Sequence, residues 1–142
     1  MRNHQRIAMP VLLACVVAGC VGLPAYQPPA GTAMVDVKLS PNMRNDTMTL
    51  CVEDSCYRAH PRDGHLKIPA GERVTLFRNF VAGGYQVTYS CYPGVSFQTR
   101  ADLAYYADFE IRANRCGFLV FRVDPTSRIG IAWEPSERLM KS

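Results

Sequence analysis

The residues able to do chemistry are few in this 142-residue chain, and their spacing favours none of the common reactions. No G-x-S-x-G, S-x-x-K or H-E-x-x-H motif occurs, nor a glycine-rich phosphate loop. Ser96, in Gly94-Val95-Ser96-Phe97-Gln98, is one glycine short of a nucleophile elbow and reads as part of a strand after a turn. His60, Asp63 and His65 could offer three metal ligands on one loop, but Pro61 and Asp63-Gly64 already account for that stretch as a turn. Asp108 and Glu110 sit two apart on one strand face, about 6.5–7 Å between Cα atoms, within the roughly 5–10 Å that glycoside hydrolysis uses. With Arg112 next to hold Glu110 ionised, they read instead as a charged face in water. The expectation is a protein that is not an enzyme, with no catalytic residue, metal or cofactor. The alternative from the enzyme class is a small hydrolase using Asp108, Glu110, His60 or His65.

Tyrosine, which joins apolar area to a hydroxyl, is the other residue type that could carry function. Tyr85, Tyr89 and Tyr105 fall on apolar strand faces and are expected in the core. Tyr92 and Tyr106 fall on polar faces, and these two are the candidate binding residues.

The elements that must position these side chains have a period of two. Val35, Val37 and Leu39 alternate with Asp36 and Lys38, and Met48, Leu50 and Val52 with Thr47, Thr49 and Cys51. Further strands are expected over 56–59, 66–69, 73–80, 85–91, 95–99, 105–112, 116–123 and 129–133, with Gly83-Gly84 and Pro93-Gly94 as turns. Cys116 to Val123 is apolar on both faces and reads as a central strand; only Arg100 to Ala104 could manage a helical turn. Short strands at this spacing predict an all-β domain, a small antiparallel β-sandwich of immunoglobulin-like or transthyretin-like type, with a small closed β-barrel as the alternative.

Four of the six cysteines fall inside that domain. The favoured pairs are Cys51–Cys56, opposite one another across a hairpin, and Cys91–Cys116, each at the end of a strand pattern. Both would be structural disulfides in an oxidising compartment.

Residues 1–20 predict such a compartment. Arg2 and Arg6 precede an apolar stretch from Ile7 to Ala18, too short to span a bilayer but suited to an export signal. The segment ends Val17-Ala18-Gly19-Cys20, which resembles the lipobox of bacterial lipoproteins. That resemblance implies cleavage after Gly19 and lipidation of Cys20, with palmitate-type acyl chains as the membrane anchor. In Gram-negative lipoproteins an aspartate after the lipidated cysteine favours inner-membrane retention; Val21 here implies the outer membrane, facing the periplasm. The expected organisation is a signal peptide over 1–19, a lipidated, Pro/Gly-rich tether over 20–33, a β-domain over 34–134 and a loose tail over 135–142.

Losing Arg2 and Arg6 with the signal lowers the 16 basic residues to 14 against 12 acidic, so the net charge falls from +4 to +2. Nothing in that balance points to nucleic acid. The expected function is a lipid-anchored, non-enzymatic binding or assembly module whose partners are the membrane and another envelope protein. Tyr89-Ser90-Cys91 resembles the Tyr-x-Cys strand of the membrane-bound lysozyme inhibitors, small disulfide-linked β-barrel lipoproteins. That resemblance implies, as the alternative function, inhibition of lysozyme-type wall hydrolases, although the Ser-Gly…Tyr inhibitory loop of the family has no counterpart here.

Overall fold

The structure is a computed structural model and describes residues 22–113 and 115–140. Where apolar residues alternate, the chain is extended, and the strands form two five-stranded sheets packed face to face. The first sheet holds β1 (Met34–Leu39), β4 (His65–Pro69), β9 (Tyr105–Arg112), β10 (Arg115–Val123) and β11 (Ile131–Trp133), in the order β11-β10-β9-β1-β4. The second holds β2 (Met48–Val52), β3 (Ser55–Ala59), β5 (Arg73–Phe77), β8 (Gly94–Gln98) and β12 (Arg138–Met140), in the order β12-β8-β5-β2-β3. Every pairing is antiparallel except β1 with β9. Both sheets end in edges, so the domain is a sandwich and does not close into a barrel.

One core fills the space between the sheets. Val35, Val37, Leu39, Phe109, Phe118 and Val120 point in from the first sheet, and Leu50, Val74, Leu76, Val95 and Phe97 from the second. Of the three tyrosines expected there, only Tyr105 is buried; its ring lies against Phe97 at 5.1 Å.

Both disulfides join the favoured partners. Cys51 and Cys56 face each other directly in the β2–β3 ladder, around a two-residue turn at Glu53-Asp54. Cys91–Cys116 closes a longer loop, with its Cα atoms 6.4 Å apart.

Several boundaries differ from the sequence reading, two of them because a distant segment supplies a partner that local pattern does not show. The region expected to be a free tether is pinned from Pro24: Arg58 N–H donates to Pro24 O (2.7 Å) and Tyr26 N–H to Arg58 O (2.8 Å). Tyr26 packs edge-on against Tyr57, so 24–26 acts as a cover strip along the edge of β3. The tail is not loose over 138–140, which pairs with β8, and Glu134 just before it is buried with its carboxylate on Arg122 (2.6 Å). Residues 101–102 form a turn, not a helix; the helical turn among the described residues is the 3₁₀ segment Pro41–Met43. β10 is an interior strand, between β9 and the short edge strand β11, but among the described residues no third layer lies over its outer apolar side chains, Leu119, Phe121 and Val123.

Candidate binding surface

The stretch expected as one strand over 73–80 breaks at Arg78, and beyond the break the chain forms a largely exposed element. Arg78 is 6% exposed, and its guanidinium lies 4.1 Å from the Phe109 ring centroid. Its Nε donates to Asp46 Oδ2 (2.7 Å) and its Nη2 to the Asn42 carbonyl (2.8 Å), while its backbone N–H reaches Pro93 O (3.1 Å). A buried guanidinium needs such partners, and satisfying them turns the chain out of the sheet. β6 (Phe80–Gly84) and β7 (Val87–Cys91) then form a separate two-stranded ribbon before the chain returns as β8.

The ribbon is held at its base. Phe80 packs on Phe109 (5.0 Å), and Cys91 is bonded to Cys116 on β10. Tyr92 stacks flat on Phe77 (5.1 Å) and donates its hydroxyl to Thr49 (3.2 Å). Its turn is not at Gly83-Gly84, as expected, but at Tyr85-Gln86, where Gln86 takes the left-handed φ of 58°. Gly84 serves packing instead: a Cβ there would meet the Tyr89 ring at 3.2 Å.

Beyond its base the ribbon stands in water. Tyr85 is 90% exposed, Val81 60%, Tyr89 57% and Val87 51%. Tyr85 and Tyr89 are therefore not core residues. They follow the alternation of a buried strand, but no second sheet lies over their face. No charged residue occurs between Arg78 and Arg100, so the ribbon is uncharged along its whole length. That absence, rather than the alternation, is the sequence signal that marks it. Between the ribbon and the β9–β10 end lies an apolar cleft of about 310 Å³, walled by Phe80, Ala82 and Tyr89 on one side and Ile111 and Cys116 on the other.

The two tyrosines expected to bind are not brought together. Tyr92 is on the outer face of the second sheet and engaged by its stack on Phe77. Tyr106 is on the outer face of the first sheet, in one transverse row with Phe121 and Trp133, and its phenol is pushed up by burial and then by Asp108.

The residues weighed for chemistry are also dispersed. His60 Nδ1 pairs with Thr47 Oγ1 (2.9 Å), whereas His65 Nδ1 pairs with Asp36 Oδ2 (2.7 Å). No group of three metal-ligating side chains occurs among the described residues. Asp108 accepts from Phe109 N–H (2.9 Å), and Glu110 is paired with Arg112 (2.9 Å). Ser96 is buried, with Arg73 as its polar neighbour (3.3 Å). Cys20 lies outside the described residues. Scans of family models and searches of curated proteins and solved structures found no match to this chain.

Proposed function

We propose that this chain is a lipid-anchored envelope lipoprotein whose disulfide-linked β-domain is a non-enzymatic binding or assembly module, and that the β6–β7 ribbon is its contact surface. The observation that carries the reading is the ribbon's exposure: an uncharged, tyrosine-tipped element on a braced base. Burying one such side chain contributes about 1.5–3 kcal/mol, so leaving Val81, Tyr85, Val87 and Tyr89 in water forgoes stability a partner would recover. Rigid tyrosine suits the role because little rotamer freedom is lost when it is covered.

The anchor is proposed from the lipobox resemblance at Cys20, in the outer membrane and facing the periplasm. Residues 24–26 run parallel to β3, toward the end of the sandwich that bears the ribbon, so the chain enters the domain from the opposite end. Cys20 is four residues before Pro24, and an anchor there would hold that opposite end near the bilayer and leave the ribbon pointing away.

The test is a photo-crosslinking side chain at position 85 in the full chain, in the native envelope. A protein adduct at 85, absent with the same probe at Arg138, is the expected result. No adduct at 85 overturns the ribbon as contact surface. Separately, Cys20→Ser is expected to leave an uncleaved or unanchored product; normal membrane fractionation of that variant would overturn the anchor.

A further inference from the structure

An exposed strand edge is a template for another strand, and folded domains protect their edges by covering them, charging them or keeping them short. Four of the outer edges in this sandwich are protected in these ways. The β3 edge lies under Pro24–Tyr26. On β4, Lys67 pairs with Asp36 of β1 and places charge along the edge. β11 and β12 are three residues each, and β12 begins with Arg138.

The ribbon lacks all of these protections. β6 and β7 are five residues each, contain no charge and no proline, and among the described residues neither has a neighbour beyond the other. The two strands are not equal. β6 ends in Ala82-Gly83-Gly84, poor strand formers, whereas Val87-Thr88-Tyr89 are strong ones and exposed from end to end.

We propose that the β7 edge pairs antiparallel with β7 of a second copy of this chain, joining the two sandwiches through one continuous four-stranded ribbon. The inference rests on the reading of the ribbon as the contact surface and names what occupies it. Two features of the ribbon select a second copy. A two-fold antiparallel contact sets the segment against its own sequence, and Val87–Cys91, which carries no charge, meets itself with no like charges opposed. The exposed surface is also of the right size. Tyr85, Val87 and Tyr89 offer at most on the order of 400 Å² per copy, which with the strand edges approaches the roughly 1,200 Å² total at the low end of specific interfaces. Interfaces at that low end are those of weak, transient contacts, and anchoring both copies to one membrane would raise their effective concentration.

The test uses the full chain in its envelope, co-expressed as two differently tagged copies, with capture of one tag and measurement of the other. Co-capture is expected for the unaltered chain. Thr88→Lys in both copies, setting like charges at the two-fold, is expected to reduce it roughly tenfold or more, with both disulfides still formed. Thr88→Lys in one copy with Thr88→Glu in the other is expected to restore it, which a merely unfolded variant would not do. No co-capture of the unaltered chain, or co-capture indifferent to Thr88→Lys, overturns the proposal. A photo-crosslinker at Tyr89 separates the two claims. An adduct of twice the chain's own mass supports self-pairing. An adduct to a different protein overturns self-pairing while the ribbon keeps its role, and no adduct overturns both.

Discussion

In β1, Val35, Val37 and Leu39 are each at most 3% exposed; in β7, Val87 and Tyr89, on the same alternation, are both more than half exposed. The two strands differ in what lies over them. β1 sits between β9 and β4 with the second sheet across its inner face, so its valines complete a core. β7 has β6 beside it and only the end of the β9–β10 pair, through Cys116 and Ile111, against its base. Alternation reports that a backbone is extended with one apolar face; it does not report whether anything covers that face. The difference separates a strand that fills the core from a strand whose apolar face is left in water.

The bridge between the two regions gives the largest effect. Replacing both Cys91 and Cys116 by serine opens a loop of 25 residues, for which the chain-entropy relation gives about 3.5 kcal/mol. Denaturant unfolding should lose about that much, and hydrogen exchange of β7 amides should accelerate more than that of β1 amides. Equal acceleration in both strands would mean that the ribbon is part of the sandwich's cooperative unit and not a region apart.

A matched pair of substitutions breaks the comparison more directly. Val37→Ala removes buried methyl groups and leaves a cavity, costing about 2–3 kcal/mol. Val87→Ala removes the same atoms from water and should change stability by less than about 0.5 kcal/mol while weakening capture at the ribbon. If Val87→Ala destabilises as much as Val37→Ala, the ribbon is packed in solution and its exposure cannot drive binding.

The same contrast explains what was legible in the sequence. Most strand positions could be read from local period, the Cys51–Cys56 pairing from its short hairpin, and Cys91–Cys116 from the place of each cysteine at the end of a strand pattern. The break at Arg78 could not, since it is made by Asn42 and Asp46, in the segment before β2, and by Phe109 on β9, all distant in sequence. Nor could the capture of Pro24–Tyr26 by β3 or of 138–140 by β8, where backbone bonds to a distant edge carry no side-chain signature. The exposure of Tyr85 and Tyr89 was illegible for the same reason: both follow an apolar alternation, but among the described residues no sheet lies over their face, while Tyr92, on a polar face, stacks on Phe77.

The smallest effect tests how the sandwich seals its own openings. Near the C-terminus two carboxylates enter the body and respond in opposite directions. Burial pushes Glu134 upward, but hydrogen bonds from Arg122 and Ser136 outweigh it and hold its carboxyl below the usual range. Its stabilisation is present above the ordinary glutamate pKa and is lost as pH falls through the lowered value. Glu137 is pushed up by burial, which its bond from Val120 N–H (3.1 Å) offsets only in part, and its Oε2 is buried without a partner. A raised carboxyl favours the folded state only while protonated, so that contribution is lost as pH rises through the interval from the unfolded to the folded pKa. Glu137→Gln keeps an acceptor for Val120 and removes the charge. It should stabilise the domain at pH 7 by about 0.5–1 kcal/mol and by almost nothing near pH 3, where Glu137 is already neutral. Thermal unfolding at the two pH values decides the matter: a gain of the same size at both would assign it to packing, and no gain at pH 7 would show that Oε2 finds water in solution.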